Sequence, residues 1–121
     1  MAGERTLYLV FSNPVEGRDR EFNEWYDSVH LREVLATPGM VSARRYTLRE
    51  AEINRAAGVA ATHRYLLVYE MEGDVDAIMA KLQEAALSGE LRMSDALDLG
   101  SVSMSFWTPL GPMVLAERDA V

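Results

Sequence analysis

Hydrophobic residues recur along this chain with two different periods, two residues in some segments and about 3.6 residues in others. Four segments have the period of two and the β-branched or aromatic side chains that are typical of strands, residues 6–11, 40–48, 63–71 and 100–110. Helical spacing predicts a first helix from residue 18 to about residue 30 and a second that begins at Gly73-Asp74 and ends at Ser88-Gly89. The order β-α-β-β-α-β is that of the ferredoxin-like α+β fold, a four-stranded antiparallel sheet with two helices on one face.

The segments between these elements are less regular. If the first helix continued undisturbed, Glu33 would return to the apolar arc of Phe22. We therefore expect a break or a change of direction at residues 30–32, followed by a short turn over 33–36. Residues 49–62 are charged and then rich in Ala and Gly, which predicts a flexible loop. Residues 90–99 are expected to form a connector with about one helical turn.

The first and third predicted strands have large apolar side chains on both faces. In the first, Leu7, Leu9 and Phe11 alternate with Tyr8 and Val10. Two helices can cover only one face of a sheet, and the apolar patch left on the other would be larger than a monomer normally exposes. The pattern therefore predicts a homodimer that forms through the open sheet face.

Composition limits the remaining possibilities. The 121 residues suit a single domain over 1–121, with a core at about 5–110 and a C-terminal tail at 111–121. The chain is 49% hydrophobic and 26% charged, and it has no apolar run of membrane-spanning length and no visible secretory signal, so we expect a cytoplasmic protein. A net charge of −7 disfavours nucleic acid as a partner. With no cysteine and two histidines, neither a built-in metal nor another cofactor is expected.

His30 is the candidate for acid–base chemistry. An unperturbed imidazole titrates near neutral pH, and Asp27 lies three residues earlier, at a spacing where helical side chains meet. Asp27 or Tyr26 would then orient the ring, with Asn23 at the same edge of the helix. The alternative is a structural histidine that interacts with the helix C-terminus or with a backbone carbonyl at the dimer interface.

Aromatic residues and one arginine complete the candidate site. Trp107, Tyr46 and Tyr65 are expected to wall an apolar pocket, although packing in the core or the interface is the simpler role for such side chains. Arg44 and Arg45 lie on opposite sides of their strand, so one of them at most faces the pocket. His63, at the start of the third strand, is of a kind that is usually only solvated.

Several of these residues resemble a known superfamily. They are the segment from Phe22 to His30, Pro38-Gly39-Met-Val, Arg45-Tyr46 and Thr62-His-Arg-Tyr65. Together they are similar to the dimeric α+β barrel superfamily, above all to its EthD-like and stand-alone members, over roughly residues 5–110. Relatives often have a proline two residues after the histidine, where this chain has Arg32.

The resemblance implies a homodimer with a pocket between sheet and helices in each subunit. It admits two functions. One is a cofactor-independent enzyme, of the EthD-like, cyclase, isomerase or monooxygenase type, that acts on a hydrophobic aromatic or polyketide-like compound. In it His30 would move a proton, Asp27 would orient it, Tyr26 or Arg45 would stabilise an oxyanion and Trp107 would stack on the substrate. The other is a non-catalytic small-molecule-binding or accessory dimer, and a heme-binding member is a minor alternative.

Overall fold

A computed structural model describes residues 5–58 and 60–118. The strands are β1 (Thr6–Ser12), β2 (Met40–Thr47), β3 (Tyr65–Met71) and β4 (Ser103–Trp107). The helices are α1 (Asp19–Trp25), α2 (Leu31–Leu35), α3 (Glu52–Ala56) and α4 (Val75–Ser88). A π-helical turn (Tyr26–His30) joins α1 to α2, and a 3-10 turn (Leu99–Ser101) precedes β4.

The four strands form one antiparallel sheet in the order β2-β3-β1-β4. This order, with the α1–α2 unit and α4 as the two main helical units, confirms the predicted ferredoxin-like α+β fold. The two central strands place Tyr8 opposite Tyr69 and Leu9 opposite Val68. Tyr8 and Tyr69 are buried while their neighbours Leu7 and Val68 are not, so the alternation in the sequence marks which sheet face meets the helices.

The core lies between that sheet face and the helices. Phe22 of α1 is fully buried, and its ring meets Tyr26 edge-on with the centroids 5.0 Å apart. Ile78 and Leu82 supply the buried face of α4. These aromatic and aliphatic contacts hold the helices against the sheet.

The predicted interruption of the first helix takes a different form, because the helix continues to Leu35 through the π turn. In that turn the backbone N–H of Leu31 bonds the carbonyl of Tyr26, five residues back, so the turn holds one extra residue. The extra residue shifts the helical phase of residues 31–35, and Val34 rather than Glu33 packs into the core, at 3% exposure. A proline at position 32 would lack the backbone N–H that helix α2 uses, so Arg32 is compatible with this continuation.

The segment predicted to be a loop contains the five-residue helix α3. The side-chain oxygen of Asn54 accepts a hydrogen bond from the backbone N–H of Ala51 at 3.0 Å, which satisfies one of the free donors at the start of the helix. The third and fourth strands are shorter than expected: β3 begins at Tyr65, and the 3-10 turn occupies the predicted start of β4.

Helix α4 has the predicted boundaries. The Asp74 carboxylate accepts from the backbone N–H of Asp76 at 3.0 Å, and Gly89 ends the helix with φ +86°. Gly39 brings the start of β2 close to this helix. A Cβ on Gly39, whose φ is +99°, would lie 2.5 Å from Cδ1 of Ile78, so only glycine allows this approach.

The other face of the sheet is not covered within the described residues. Leu7, Tyr46 and Trp107 are 37%, 45% and 57% exposed, and Leu9, Phe11, Leu66 and Val68 are half-buried beside them. We call this surface the open face. None of the helices in the described ranges is long and apolar enough to cross a membrane.

Candidate functional site

A cavity of about 610 Å³ lies between the sheet and the helices. Its walls come from the central strands, the π turn, α2, α4 and the connection that leads to β4. They include the side chains of Tyr8, Tyr26, His30, Val34, Leu67 and Tyr69. A space of this volume with mainly apolar walls is typical of small-molecule sites.

The π turn holds His30 at the cavity wall. Its ring stacks on Trp25, with the centroids 4.3 Å apart, and meets Tyr26 edge-on at 5.2 Å. Nδ1 is sealed from solvent and has no hydrogen-bond partner in the described part of the chain, and His30 itself lines the cavity. Nε2 is therefore the ring nitrogen that is left to interact with a ligand.

Burial controls the charge of this imidazole. It lowers the pKa of His30 to about 4, because the apolar surroundings disfavour the charged form, and the nearby Glu33 carboxylate opposes the effect only in part. Glu33 is itself engaged at 2.7 Å by the side chain of Arg92. The imidazole is thus neutral at neutral pH.

Three tyrosines contribute the remaining aromatic wall. Burial raises the pKa of Tyr8 to about 12, and it also raises those of Tyr69 and Tyr26. The hydroxyl of Tyr8 donates to Sδ of Met104 at 3.1 Å. The hydroxyl of Tyr69 is sealed and has no partner within the described residues. These rings supply shape and apolar surface, and all three phenols stay neutral.

The predicted contact between Asp27 and His30 is replaced by another. The Asp27 carboxylate accepts from Nη1 of Arg45 at 3.0 Å, and His30 has no hydrogen bond to it in the described structure. The π turn explains the difference. In this wider turn, side chains three residues apart no longer lie one above the other on the same face of the helix. Asp27 therefore does not orient the imidazole here.

Arg45 turns towards the helices and Arg44 lies on the open face, and neither of them lines the described cavity. Nη2 of Arg45 donates to Oδ1 of Asn23 at 2.7 Å, and its guanidinium lies over the Tyr26 ring, 4.7 Å from the centroid. Asn23 in turn donates to the hydroxyl of Tyr65 at 3.3 Å. Four of the predicted site residues thus form a polar network with one another and do not line the described cavity. They are Asn23, Asp27, Arg45 and Tyr65.

Two predicted aromatic wall residues lie elsewhere. Tyr46 and Trp107 are on the open face, across the sheet from the cavity, and Nε1 of Trp107 donates to Oγ of Ser105 at 2.7 Å. The expectation that Trp107 stacks on a substrate in this cavity is therefore not supported. His63 does not line the described cavity either, and its Nε2 lies 2.8 Å from the carbonyl oxygen of Ser101.

The sequence reasoning missed Tyr8 and Tyr69 as wall residues. The available signal was the alternation along β1 and β3, which places them in register with Val10 and Leu67 on one face. That alternation shows that they share a face, but not that the face borders a cavity. The apolar side chains of α4 that line the cavity, such as Met79 and Leu82, have the helical spacing seen in the sequence, but spacing does not show that this side of the helix borders a cavity.

The donor set does not suit a metal or heme. The described residues contain no group of three or more His, Asp or Glu side chains that could hold a metal ion. Heme propionates are anionic and are usually paired with Arg or Lys, whereas the only charged residue on the described cavity wall is Asp76. The described wall thus has no cation for the propionates, and this counts against the heme alternative even though His30 could supply an iron-ligating nitrogen.

The strands, helices and cavity define an α+β protein with the ferredoxin-like arrangement. Among solved structures, the chain is similar to an ethyl tert-butyl ether D (EthD) family protein from Bacillus halodurans, with a TM-score of 0.59 and 13% identity over 91% of this chain and 100% of that one. It is also similar to a proposed monooxygenase from Shewanella loihica, with a TM-score of 0.55 and 16% identity over 93% and 99% of the two chains. No family model and no curated protein sequence matches the chain. The resemblance predicted from the sequence is thus confirmed for the fold.

Proposed function

We propose that this protein binds a hydrophobic small molecule in the cavity beside His30. The observation that supports this most is a neutral imidazole with one accessible nitrogen in an otherwise apolar space of about 610 Å³. An apolar cavity with a few polar groups at fixed positions is suited to binding a hydrophobic ligand in one orientation. Binding is favoured over acid–base catalysis as the primary function, because no carboxylate orients His30 as a base.

We also propose that the protein is a homodimer. The open face exposes apolar side chains on β1 and β4, and the tail beyond β4 exposes others, Leu110, Met113, Val114 and Leu115. The tail follows directly in the chain from β4, whose Trp107 belongs to the open face. A second copy packed face to face would cover the open face through a two-fold axis.

A bulky residue at the cavity mouth is expected to weaken ligand binding. In Ala86→Trp, the indole would occupy space that a ligand needs, because Ala86 lines the cavity. The affinity for the neutral fluorescent probe N-phenyl-1-naphthylamine should fall by about tenfold or more, as measured by fluorescence titration. Ala77→Trp is the matched control, since Ala77 is exposed on the same helix but does not line the described cavity.

The proposal predicts unchanged probe binding in the Ala77→Trp variant. A wild-type protein that does not bind the probe, or equal binding by both variants, would contradict a ligand site in this cavity.

The second candidate function is proton transfer by His30 on the bound molecule. It is favoured by the position of His30 on the cavity wall. It needs the tautomer with a bare Nε2, which would take the α-proton of the bound molecule and return a deuteron from the solvent, whereas the other tautomer would only donate a hydrogen bond. The protein should then accelerate exchange of the α-protons of 2-tetralone in D2O, as followed by NMR. His30→Gln should reduce the rate to that of solvent, and His63→Gln should retain it, because His63 does not line the described cavity.

The wild-type protein could bind the probe and yet give exchange no faster than in buffer. That result would rule out proton transfer and leave ligand binding as the function.

A further inference from the structure

The charge on the cavity wall restricts the kind of ligand that can enter. Within the described residues Asp76 is the only charged wall residue, and Arg45, the nearest cation to Tyr26, is already engaged by Asp27 and Asn23. An anionic ligand would lose its hydration shell and gain no cation in exchange. The wall therefore disfavours carboxylates and phosphates.

The polar atoms of the wall differ in their availability. The Tyr8 hydroxyl is engaged with Met104, and the Tyr69 hydroxyl is sealed. Nε2 of His30 is left as the accessible group, and the same burial that seals Nδ1 keeps the ring neutral. A ligand that fits this wall needs one polar atom at that point and apolar surface elsewhere.

The sealed Nδ1 also indicates which nitrogen carries the proton. A buried N–H without an acceptor is rarer in proteins than an acceptor that lacks a donor. The favoured tautomer therefore leaves Nδ1 as the bare nitrogen and places the hydrogen on Nε2, which becomes a donor. The matching group on a ligand is an oxygen that accepts a hydrogen bond.

We infer that the cavity takes a neutral, largely apolar molecule with a single oxygen acceptor, such as an aryl ketone, and that Nε2 of His30 donates to that oxygen. This inference rests on the proposed binding function and adds the chemical class of the ligand. His30 then determines which end of the ligand enters first. The stacked Trp25 and the edge of Tyr26 hold the ring in place in the absence of an orienting carboxylate.

Three isosteric probes test the inference by displacement of N-phenyl-1-naphthylamine at pH 7. They are 2-acetylnaphthalene, which is neutral and has a carbonyl, 2-ethylnaphthalene, which has no acceptor, and 2-naphthoate, which is an anion. The ketone should bind about five- to tenfold more tightly than the hydrocarbon, as expected for one hydrogen bond. It should bind at least about tenfold more tightly than the carboxylate.

Variants at His30 connect the preference to the imidazole. His30→Phe should bind the ketone and the hydrocarbon equally, and His30→Gln, which keeps an N–H donor, should retain part of the preference. The three-probe comparison on the wild-type protein is informative even if a variant fails to fold.

The outcomes separate this inference from the proposed function. Three results would each overturn the inference and leave cavity binding intact. They are binding of the carboxylate as tight as that of the ketone, equal binding of the ketone and the hydrocarbon, and failure of the ketone to displace the bound reporter. Failure of the reporter itself to bind would overturn both.

Discussion

Replacing Leu9 with glutamate is expected to separate the proposed dimer into single subunits. Leu9 lies on a central strand, opposite Val68 and Ser105, in the middle of the open face. In a face-to-face dimer the new carboxylate would be buried among apolar side chains, with Val68 between it and Arg44 of the open face, and such burial costs several kcal/mol. Association should weaken by about a hundredfold or more, as measured by analytical ultracentrifugation over a range of concentrations.

Leu87→Glu is the matched control for this change. Leu87 is 83% exposed on α4, away from the open face, and its substitution makes the same chemical change. The control should sediment like the wild-type protein. In the single subunit Leu9 is only half-buried, so Leu9→Glu should keep its secondary structure by circular dichroism. A wild-type protein that sediments as one subunit at micromolar concentration would refute the dimer.

Acid is expected to destabilise the protein through His30. The pKa of the folded imidazole is about 4, against 6.5 for an unperturbed one, so the unfolded chain binds the proton more readily between those values. Stability is therefore unaffected by this group above about pH 6.5 and falls as the pH decreases towards 4. The loss from this one group is about 3 kcal/mol. Urea denaturation at several pH values between 4 and 7.5 measures it.

Two variants isolate the contribution of His30. His30→Phe removes the titrating group while keeping an aromatic ring against Trp25, and its free energy of unfolding should depend less on pH over this interval. The carboxylate of Glu33 also loses a bond to Arg92 when protonated, and that part of the acid sensitivity should remain in His30→Phe. His63→Gln should retain the His30 contribution. An identical pH dependence in the wild-type protein and His30→Phe would disprove the assignment.

The periodic segments were predictable because their signal is local. Alternation in residues 6–11 and 63–71 arises from burial on one sheet face, and the spacing in α4, with Asp74 before it and Gly89 after it, arises from its apolar stripe and its caps. The regular order of these elements then favoured the ferredoxin-like topology. The interruption near His30 was also detectable, because Glu33 conflicts with a regular helix.

The details of the site were not predictable from spacing. Asp27 was predicted to contact His30 because helical side chains three residues apart usually meet. The π turn changes that geometry, and the Asp27 carboxylate instead accepts a hydrogen bond from Arg45, 18 residues further along the chain. Trp107 and Tyr46 have the composition of a pocket wall, yet their place in the sheet register turns them to the open face. Residue type alone does not distinguish a pocket wall from an interface.

The sequence by itself determined the order of strands and helices, the two-sided apolar character of the central strands and the presence of His30 near the end of a helix. These properties follow from periodicity and chain order, which are encoded over a few neighbouring residues. Only the tertiary structure decided that Tyr8 and Tyr69 share the cavity with His30, and that Asp27 does not reach it. Those relations depend on one extra residue in a helical turn and on strand register, and the register is set by pairing between segments distant in sequence.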